Sequence, residues 1–406
     1  MRITLFILFL FLLDYYFYKA TSIRMFIRGN VISIIYWLFS FFVYIIMIYV
    51  FLNYEKKTPS VHFNNNVIFS SIIFISFISK LIGVMPLLLD DVFRLFKITF
   101  NFLVNESIFD NSRLDFLKKS ALVLSGFLAS LLFFGVMRGR YNFKKFFKNI
   151  KIKNWPNSLE NYKIIHISDL HLGSFNSVKK MEKVVEIINK ENADLVFFTG
   201  DLVNNYYSEA IPYVDVLRKI KSKHGKFSIL GNHDYCDYVM LKRSSEEWKE
   251  NFKNMIQIQK DIGFDLLLNE HRCINTKKGR FNIVGVENWG KGRFNKDGDL
   301  DRSILHIDKS IPTILLSHDP SHWEAQIIKH SHFFDLTLSG HTHGMQFGIE
   351  IAGIKWSPVK WRYKQWAGLY QKNKHQIYVN RGIGCLGYAG RVGIMPDISV
   401  LNIQSQ

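Results

Sequence analysis

The chain has 406 residues, which at about 150 residues per domain leaves room for two to three units. Hydrophobic residues make up 48% and aromatics 15%, with 36 Phe, so a disordered or collagen-like chain is excluded. A formal net charge of +18 suits an anionic partner: nucleic acid, an acidic lipid surface or a phosphorylated substrate. The cysteines Cys236, Cys273 and Cys385 form no C-x-x-C pair, which excludes a disulfide scaffold and a structural zinc site built mainly from thiolates.

Residues 1–140 read as membrane. The run 31–51 carries no charge and is long enough to cross a bilayer. Residues 120–137 make a second span. Residues 67–89 make a further one although they contain Lys80 and Pro86; a lysine there must snorkel or face other helices. Residues 3–18 are shorter and contain Asp14. They read as a span or as the apolar stretch of a signal peptide, and the lack of a clean small-residue cleavage site in the following KATSIR favours an uncleaved span. About four transmembrane helices are expected.

Past the last span come Arg138, Arg140, Lys144, Lys145, Lys148, Lys151 and Lys153, with no acid before Glu160. The positive-inside rule places that flank, and the C-terminal domain with it, in the cytoplasm. Arg94, Lys97, Arg113, Lys118 and Lys119 in the preceding loop pull the other way. Phe143, Phe146, Phe147 and Ile150 fall at i, i+3, i+4 and i+7, which predicts an amphipathic helix. Such a helix would lie on anionic lipid or cap the soluble domain. Trp155-Pro156-Asn157-Ser158 reads as the turn that ends this linker.

From Lys163 short β-branched runs alternate with amphipathic stretches. Strands are expected at 163–168, 194–199, 226–230, 281–286, 313–317, 336–339, 377–380 and 398–403, and helices at 177–190 and 208–222. The alternation predicts an α/β fold of layered sheets and helices. Polar residues follow the strands in order: Asp169-Leu170-His171, Gly200-Asp201, Gly231-Asn232-His233-Asp234, His318-Asp319 and Gly340-His341-Thr342-His343. Open α/β sheets place their ligand sites just past the carboxyl ends of strands.

Asp169, His171, Asp201, Asn232, His318, His341 and His343 are oxygen and imidazole donors, with no thiolate among them. Such a mixture suits Mn, Fe or Zn and is too rich in imidazole for a dedicated magnesium or calcium site. Seven donors are too many for one tetrahedral ion and suit two ions sharing a bridging carboxylate. Two metals about 3.5–4 Å apart acidify a bridging water to hydroxide and clamp both oxygens of an in-line displacement at phosphorus. Gly200, Gly231 and Gly340 precede donors where the backbone must come close. Any one of these pairs alone is a weak signal; the ordered set of five is not.

The set resembles the calcineurin-like metallophosphoesterase superfamily, whose five-block signature is present across 163–403. The continuation GHTHGMQ at 340–346, with VNRGIG at 379–384 and RVG at 391–393, resembles the bacterial phosphodiesterase branch, which often has N-terminal membrane helices. In that branch the position of Met345 is usually glycine, so a loop of different shape is expected here. The resemblance implies a β-sandwich flanked by helices behind a helical transmembrane region, with segments 1–140 (transmembrane), 141–157 (basic amphipathic linker) and 158–406 (phosphoesterase domain). It implies that Asp169, His171 and His343 hold one divalent ion, that Asn232, His318 and His341 hold the other, and that Asp201 bridges them. His233 is implied to face the phosphate, stabilising the transition state or protonating the leaving oxygen. Asp234 reads as the group that orients that imidazole, or as a helix N-cap.

Arg381 and Arg391 read as bidentate phosphate ligands or as surface arginines. Trp289, in Glu287-Asn288-Trp289-Gly290, reads as a rim residue. Cys236 has no neighbour that makes it a nucleophile, and His166, His224, His322 and His375 read as structural. The expected activity is that of a metal-dependent phosphoester hydrolase, a phosphodiesterase by resemblance, anchored in a bacterial inner membrane. Its basic flank suggests anionic lipid contact and a substrate with a phosphate or pyrophosphate head group, such as a lipid or a nucleotide-linked lipid intermediate. A receptor or scaffold with a vestigial metal centre is the competing class, disfavoured because no expected ligand is missing. Nucleic acid is disfavoured because the basic residues concentrate beside the membrane.

Overall fold

The computed structural model describes residues 2–21, 31–54, 65–101, 111–239, 241–351 and 353–406. The end of the KATSIR segment lies outside the described residues. The chain forms two compact units, Met1–Lys56 with Asn65–Val136 and Lys57–Asn64 with Met137–Gln406.

The first unit consists of helices α1 (Arg2–Ala20), α2 (Val31–Tyr54), α3 (Asn65–Asn101) and α4 (Asn111–Met137). Among the described residues, Val31–Leu52, Val67–Thr99 and Ser112–Tyr141 are long and apolar enough to cross a membrane. The two charges that interrupt apolar segments answer each other: Lys80 of α3 forms a buried ion pair with Asp14 of α1. The hydroxyls of Tyr36 and Tyr44 donate to the two Asp14 carboxylate oxygens at 3.0 and 2.8 Å, and Lys80 Nζ donates to Ser40 Oγ at 3.2 Å. In hydrocarbon an unpaired charge is costly, so this network ties α1, α2 and α3 together. Pro86 sits inside α3, as apolar helices with packed neighbours tolerate.

Among the described residues the second unit holds fourteen strands. In chain order they are β1 (Lys144–Ile152), β2 (Tyr162–Ile167), β3 (Leu195–Phe198), β4 (Lys226–Ser228), β5 (Asp265–Leu266), β6 (Glu270–Thr276) and β7 (Gly279–Gly285). There follow β8 (Thr313–Leu316), β9 (Leu336–Ser339), β10 (Ile349–Ile351), β11 (Ile354–Trp356), β12 (Gly368–Lys372), β13 (His375–Val379) and β14 (Asp397–Ser405). Two six-stranded sheets form, in the orders β1-β14-β2-β3-β4-β5 and β12-β13-β9-β8-β7-β6. Ile164, Leu195 and Phe197 of one sheet pack with Phe281, Ile314 and Leu338 of the other in a shared buried core. Ile165, Val196 and Phe198 point outward, against helix α5 (Val178–Asn189) and helix Glu246–Ile262. Because β2, β3, β8 and β9 are covered on both faces, they read as continuous apolar runs rather than alternating ones. Within each sheet these strands run parallel, so their carboxyl ends lie along one edge.

Two expected elements take another form. The stretch predicted as an amphipathic helix around 143–150 is strand β1, paired in parallel with β14 from Lys144↔Asp397 to Ile152↔Ser405. Its burial follows a period of two at the end, with Ile150 and Ile152 buried and Asn149 and Lys151 exposed. The pairing partner is at the far end of the chain, so tertiary pairing overrides the local helical spacing. The helix expected at 208–222 is broken into the 3-10 turns Tyr207–Glu209 and Ile211–Tyr213 and one helical turn, Val214–Leu217. Pro212 lacks the N–H that a continuous helix needs.

A chain begun at residue 158 would lack β1 and expose the edge of β14. We expect it to self-associate in size-exclusion chromatography, while a chain begun at residue 139 elutes as one species. Equal behaviour of the two would show that β1 is dispensable.

Candidate metal centre

The loops after β2, β3, β4, β8 and β9 bring the predicted donors together. Asp169, His171 and His343 form one cluster, His171, Asp201 and His233 a second, and Asp201, His318 and His341 a third; within each, the donor atoms lie within 4.8 Å of one another. Asp201 Oδ2 is 3.5 Å from His171 Nε2 and 3.2 Å from His318 Nε2. His343 Nε2 is 3.1 Å from His171 Nε2 and 3.3 Å from Asp169 Oδ1. Asn232 Oδ1 is 3.1 Å from His318 Nε2 and 2.8 Å from His341 Nδ1.

The hydrogen bonds around these rings fix where their lone pairs point. His318 Nδ1 donates to the Thr199 carbonyl at 2.7 Å, so its Nε2 carries the lone pair in the neutral ring. That lone pair faces a carboxylate oxygen and an amide oxygen. Asn232 Nδ2 donates to the Tyr238 hydroxyl at 2.8 Å, which settles the amide with its oxygen toward the rings. Acceptors facing acceptors in a buried site call for a cation. The buried carboxylates favour positive charge at this point. Burial alone would lower His318, yet the Asp201 carboxylate raises it to about 10. Burial alone would raise Asp201, yet the His318 and His233 rings hold it well below the usual carboxylate range. The donor set therefore fits divalent metal on the chemistry of its own atoms.

Backbone geometry builds this convergence. Asp169, His171, Asp201, His341 and His343 have φ of 50, 41, 60, 70 and 51°, a left-handed conformation that disfavours a Cβ and clusters at functional sites. The His341 amide donates to both Asp169 oxygens at 3.0 Å. A Cβ on Gly231 would strike Asp201 Oδ1, and one on Gly340 would strike Asp169 Oδ2, so these glycines let the chain reach the carboxylates. Gly344, Met345 and Gln346 continue in the left-handed region at φ 53, 55 and 57°.

His233 joins the donors, and its Nδ1 donates to the Asn204 carbonyl at 2.7 Å. Its ring stacks on Tyr238 with centroids 4.3 Å apart, and burial pulls its basicity down to about 4. Asp234 does not hold this ring, and it is not a helix cap for an α-helix. Its carboxylate accepts from the amides of Gly231 and Asp201 at 2.9 Å each and of Leu202 at 2.8 Å. It staples the loop after β4 to the loop after β3, and so positions Asp201. The expectation of phosphate-binding arginines also changes. Arg391 is fully buried and donates to the carbonyls of Gly384 and Arg381 at 2.7 and 2.9 Å, with its guanidinium 3.4 Å from His343 Nδ1. Arg381 donates to Glu350 at 2.8 Å and stacks on Phe146. Trp289 stacks on His322 at 4.7 Å. His166 bonds Thr199 in the interior, His224 pairs with Tyr162 at the surface, and Cys236 is buried.

Three aromatic neighbours of the donors, Tyr238, Phe294 and Tyr363, had no sequence signal. Phe294 meets His341 edge-on at 4.9 Å, and the Tyr363 hydroxyl lies 2.7 Å from His341 Nε2. Asp319 is buried, with Oδ2 3.5 Å from the same nitrogen. With Tyr238 they wall the centre with aromatic rings from three separate loops.

Residues 162–345 match the model of the calcineurin-like phosphoesterase family, and residues 1–140 match that described as "Probable Calcineurin-like phosphoesterase, transmembrane domain". An uncharacterized metallophosphoesterase of Helicobacter pylori is 30% identical over 301 residues, covering 72% of this chain and 74% of that protein. The chain belongs to the calcineurin-like phosphoesterase family. The uncharacterized metallophosphoesterase YkuE of Bacillus subtilis is 29% identical across 63% of the chain and 84% of its own length. Phosphodiesterase YaeI of Escherichia coli is 26% identical across 60% of the chain and 82% of its own length. This calcineurin-like phosphoesterase is thus a metal-dependent phosphoester hydrolase with a transmembrane domain, and its fold is the layered α/β sandwich described above.

In this phosphoesterase, Asp234→Asn keeps the size of the side chain but opposes an N–H to backbone N–H groups. We expect a loss of about 2–3 kcal/mol of stability together with weaker metal retention, read by thermal unfolding and by metal analysis after dialysis. Lost turnover with unchanged stability and metal content would instead point to a role on the His233 ring.

Proposed function

We propose that the protein is a membrane-anchored phosphodiesterase whose centre takes two divalent cations and whose substrate is a lipid carrying a phosphate or pyrophosphate head group. The observation that carries the reading is Asp201 Oδ2, which sits between His171 at 3.5 Å and His318 at 3.2 Å. Asp169, His171 and His343 would hold one ion, Asn232, His318 and His341 the other, and Asp201 both. The absence of thiolate from the set favours Mn, Fe or Zn. Such ions, when bound, polarise phosphoryl oxygens and acidify water. The remaining work falls to the chain. His233, fixed through Nδ1 on Asn204 and flanked by Tyr238, keeps its other nitrogen for the phosphate. An anionic phosphate raises that ring's proton affinity, and the ring can then pass the proton to the leaving oxygen.

Three spans in the same chain support a lipid substrate, as does the net charge of +18. The basic flank from Arg138 to Lys153 favours a cytoplasmic catalytic domain, and the bacterial relatives favour an inner membrane.

The test uses the full chain in detergent micelles, a chromogenic phosphodiester and Mn²⁺, with and without chelator. Asp201→Asn should lose both metal and activity. His233→Ala should keep its metal and lose turnover by about 10²–10⁴-fold; loss of metal from that variant would overturn the role given to His233. Hydrolysis of water-soluble diesters as fast as micellar phospholipid would overturn the lipid substrate.

A further inference from the structure

One hairpin next in sequence to the metal centre is built inside out. Strands β10 and β11 pair Ile349 with Trp356 and Ile351 with Ile354, so these four side chains share one face while Glu350 and Lys355 share the other. The charged face is the one with partners in the body of the domain. Glu350 accepts from Arg381 at 2.8 Å. Lys355 Nζ donates to the Ala367 carbonyl and lies over the rings of Trp366 and Tyr370 at 5.1 and 5.4 Å. The apolar face meets solvent instead: Ile349, Ile351 and Ile354 are 50%, 71% and 68% exposed. Trp356 extends it to Trp361, whose ring lies 6.0 Å away and which is 76% exposed.

A contiguous apolar face of this kind is a contact surface, and the residues beside it select what it contacts. Residues 354–372 contain Lys355, Lys360, Arg362, Lys364 and Lys372 and no acid. Lys360, Arg362 and Lys364 are exposed and alternate with Trp361 and Tyr363. Aromatic rings with basic residues between them match a bilayer interface, where Trp and Tyr sit at head-group depth and Lys and Arg meet anionic lipid. The same chain carries candidate membrane spans.

We propose that the β10–β11 hairpin and the Pro358–Trp361 turn form a membrane-contact surface that seats Ile349, Ile351, Ile354 and Trp361 in the interface of an anionic bilayer. The surface is continuous in sequence with the metal centre on both sides: Ile349 follows His343 by six residues, and Tyr363, whose hydroxyl lies 2.7 Å from His341 Nε2, follows Trp361 by two. Head groups gathered there would meet the centre directly. That consequence rests on the phosphodiesterase reading; the contact does not.

The test is site-directed fluorescence on the full chain in vesicles of phosphatidylglycerol and phosphatidylcholine. Cys273→Ser removes the exposed thiol, and Cys236 and Cys385 are buried. An environment-sensitive dye is then placed at Ile351→Cys, at Trp361→Cys, and, as a control for simple proximity, at Glu182→Cys on the exposed side of α5. With a nitroxide at the fifth acyl carbon of the lipid, emission at 351 and 361 should fall by about two-fold or more relative to 182, since an interfacial face sits about 5–10 Å into the head-group and acyl boundary. Equal quenching at all three positions overturns the proposal. So does a blue-shifted but unquenched signal at 351 and 361 that reverts on dilution of protein in the membrane, the result expected if a second copy covers the face. The readout involves no hydrolysis, so its failure is separable from a failure of the turnover assay.

Discussion

Asp201 is the hinge of the domain. Its carboxylate lies between His171 and His318, and its other oxygen accepts the His233 amide at 2.8 Å. Its own amide is held by Asp234. Two sheets and three loops therefore meet at one side chain. The protein interior here gathers carboxylates and imidazole lone pairs that repel one another unless a positive charge stands among them. Each of the surrounding choices, from the left-handed ligand residues to the bare glycines, holds that unfavourable arrangement in place.

The donors were legible because each follows a buried apolar run, and because parallel strands deliver their carboxyl ends to a common edge. His233 was legible for the same reason, lying between Asn232 and the next turn. Asp234 was not. Its role is set by three backbone amides, two of them from the loop after β3, and no side-chain pattern records where an amide will point. Arg391 read as a phosphate ligand or as a surface arginine. Its carbonyl partners at Gly384 and Arg381 exist only once the loop has closed. Tyr238, Phe294 and Tyr363 come from separate loops, and only folding shows that their rings share a wall.

The same logic separates the two readings of residues 143–150. A stripe at helical spacing is a local signal, and a strand whose partner lies 253 residues away carries no local counterpart. In the membrane unit the reverse holds. Asp14 and Lys80 each looked like a defect in an apolar segment, yet the pair they form is the reason both are tolerated. Two anomalies in one sequence of spans are best read together before either is discounted.

The pairing of β1 with β14 has a bearing on how the molecule is made. Among the described residues β1 has β14 as its neighbour, and β14 in turn links β1 to β2. β14 is synthesised after β1–β13, so that sheet closes only once the strands between have been made. Until then β1 keeps an unpaired basic edge. Such a late and long-range closure is slow.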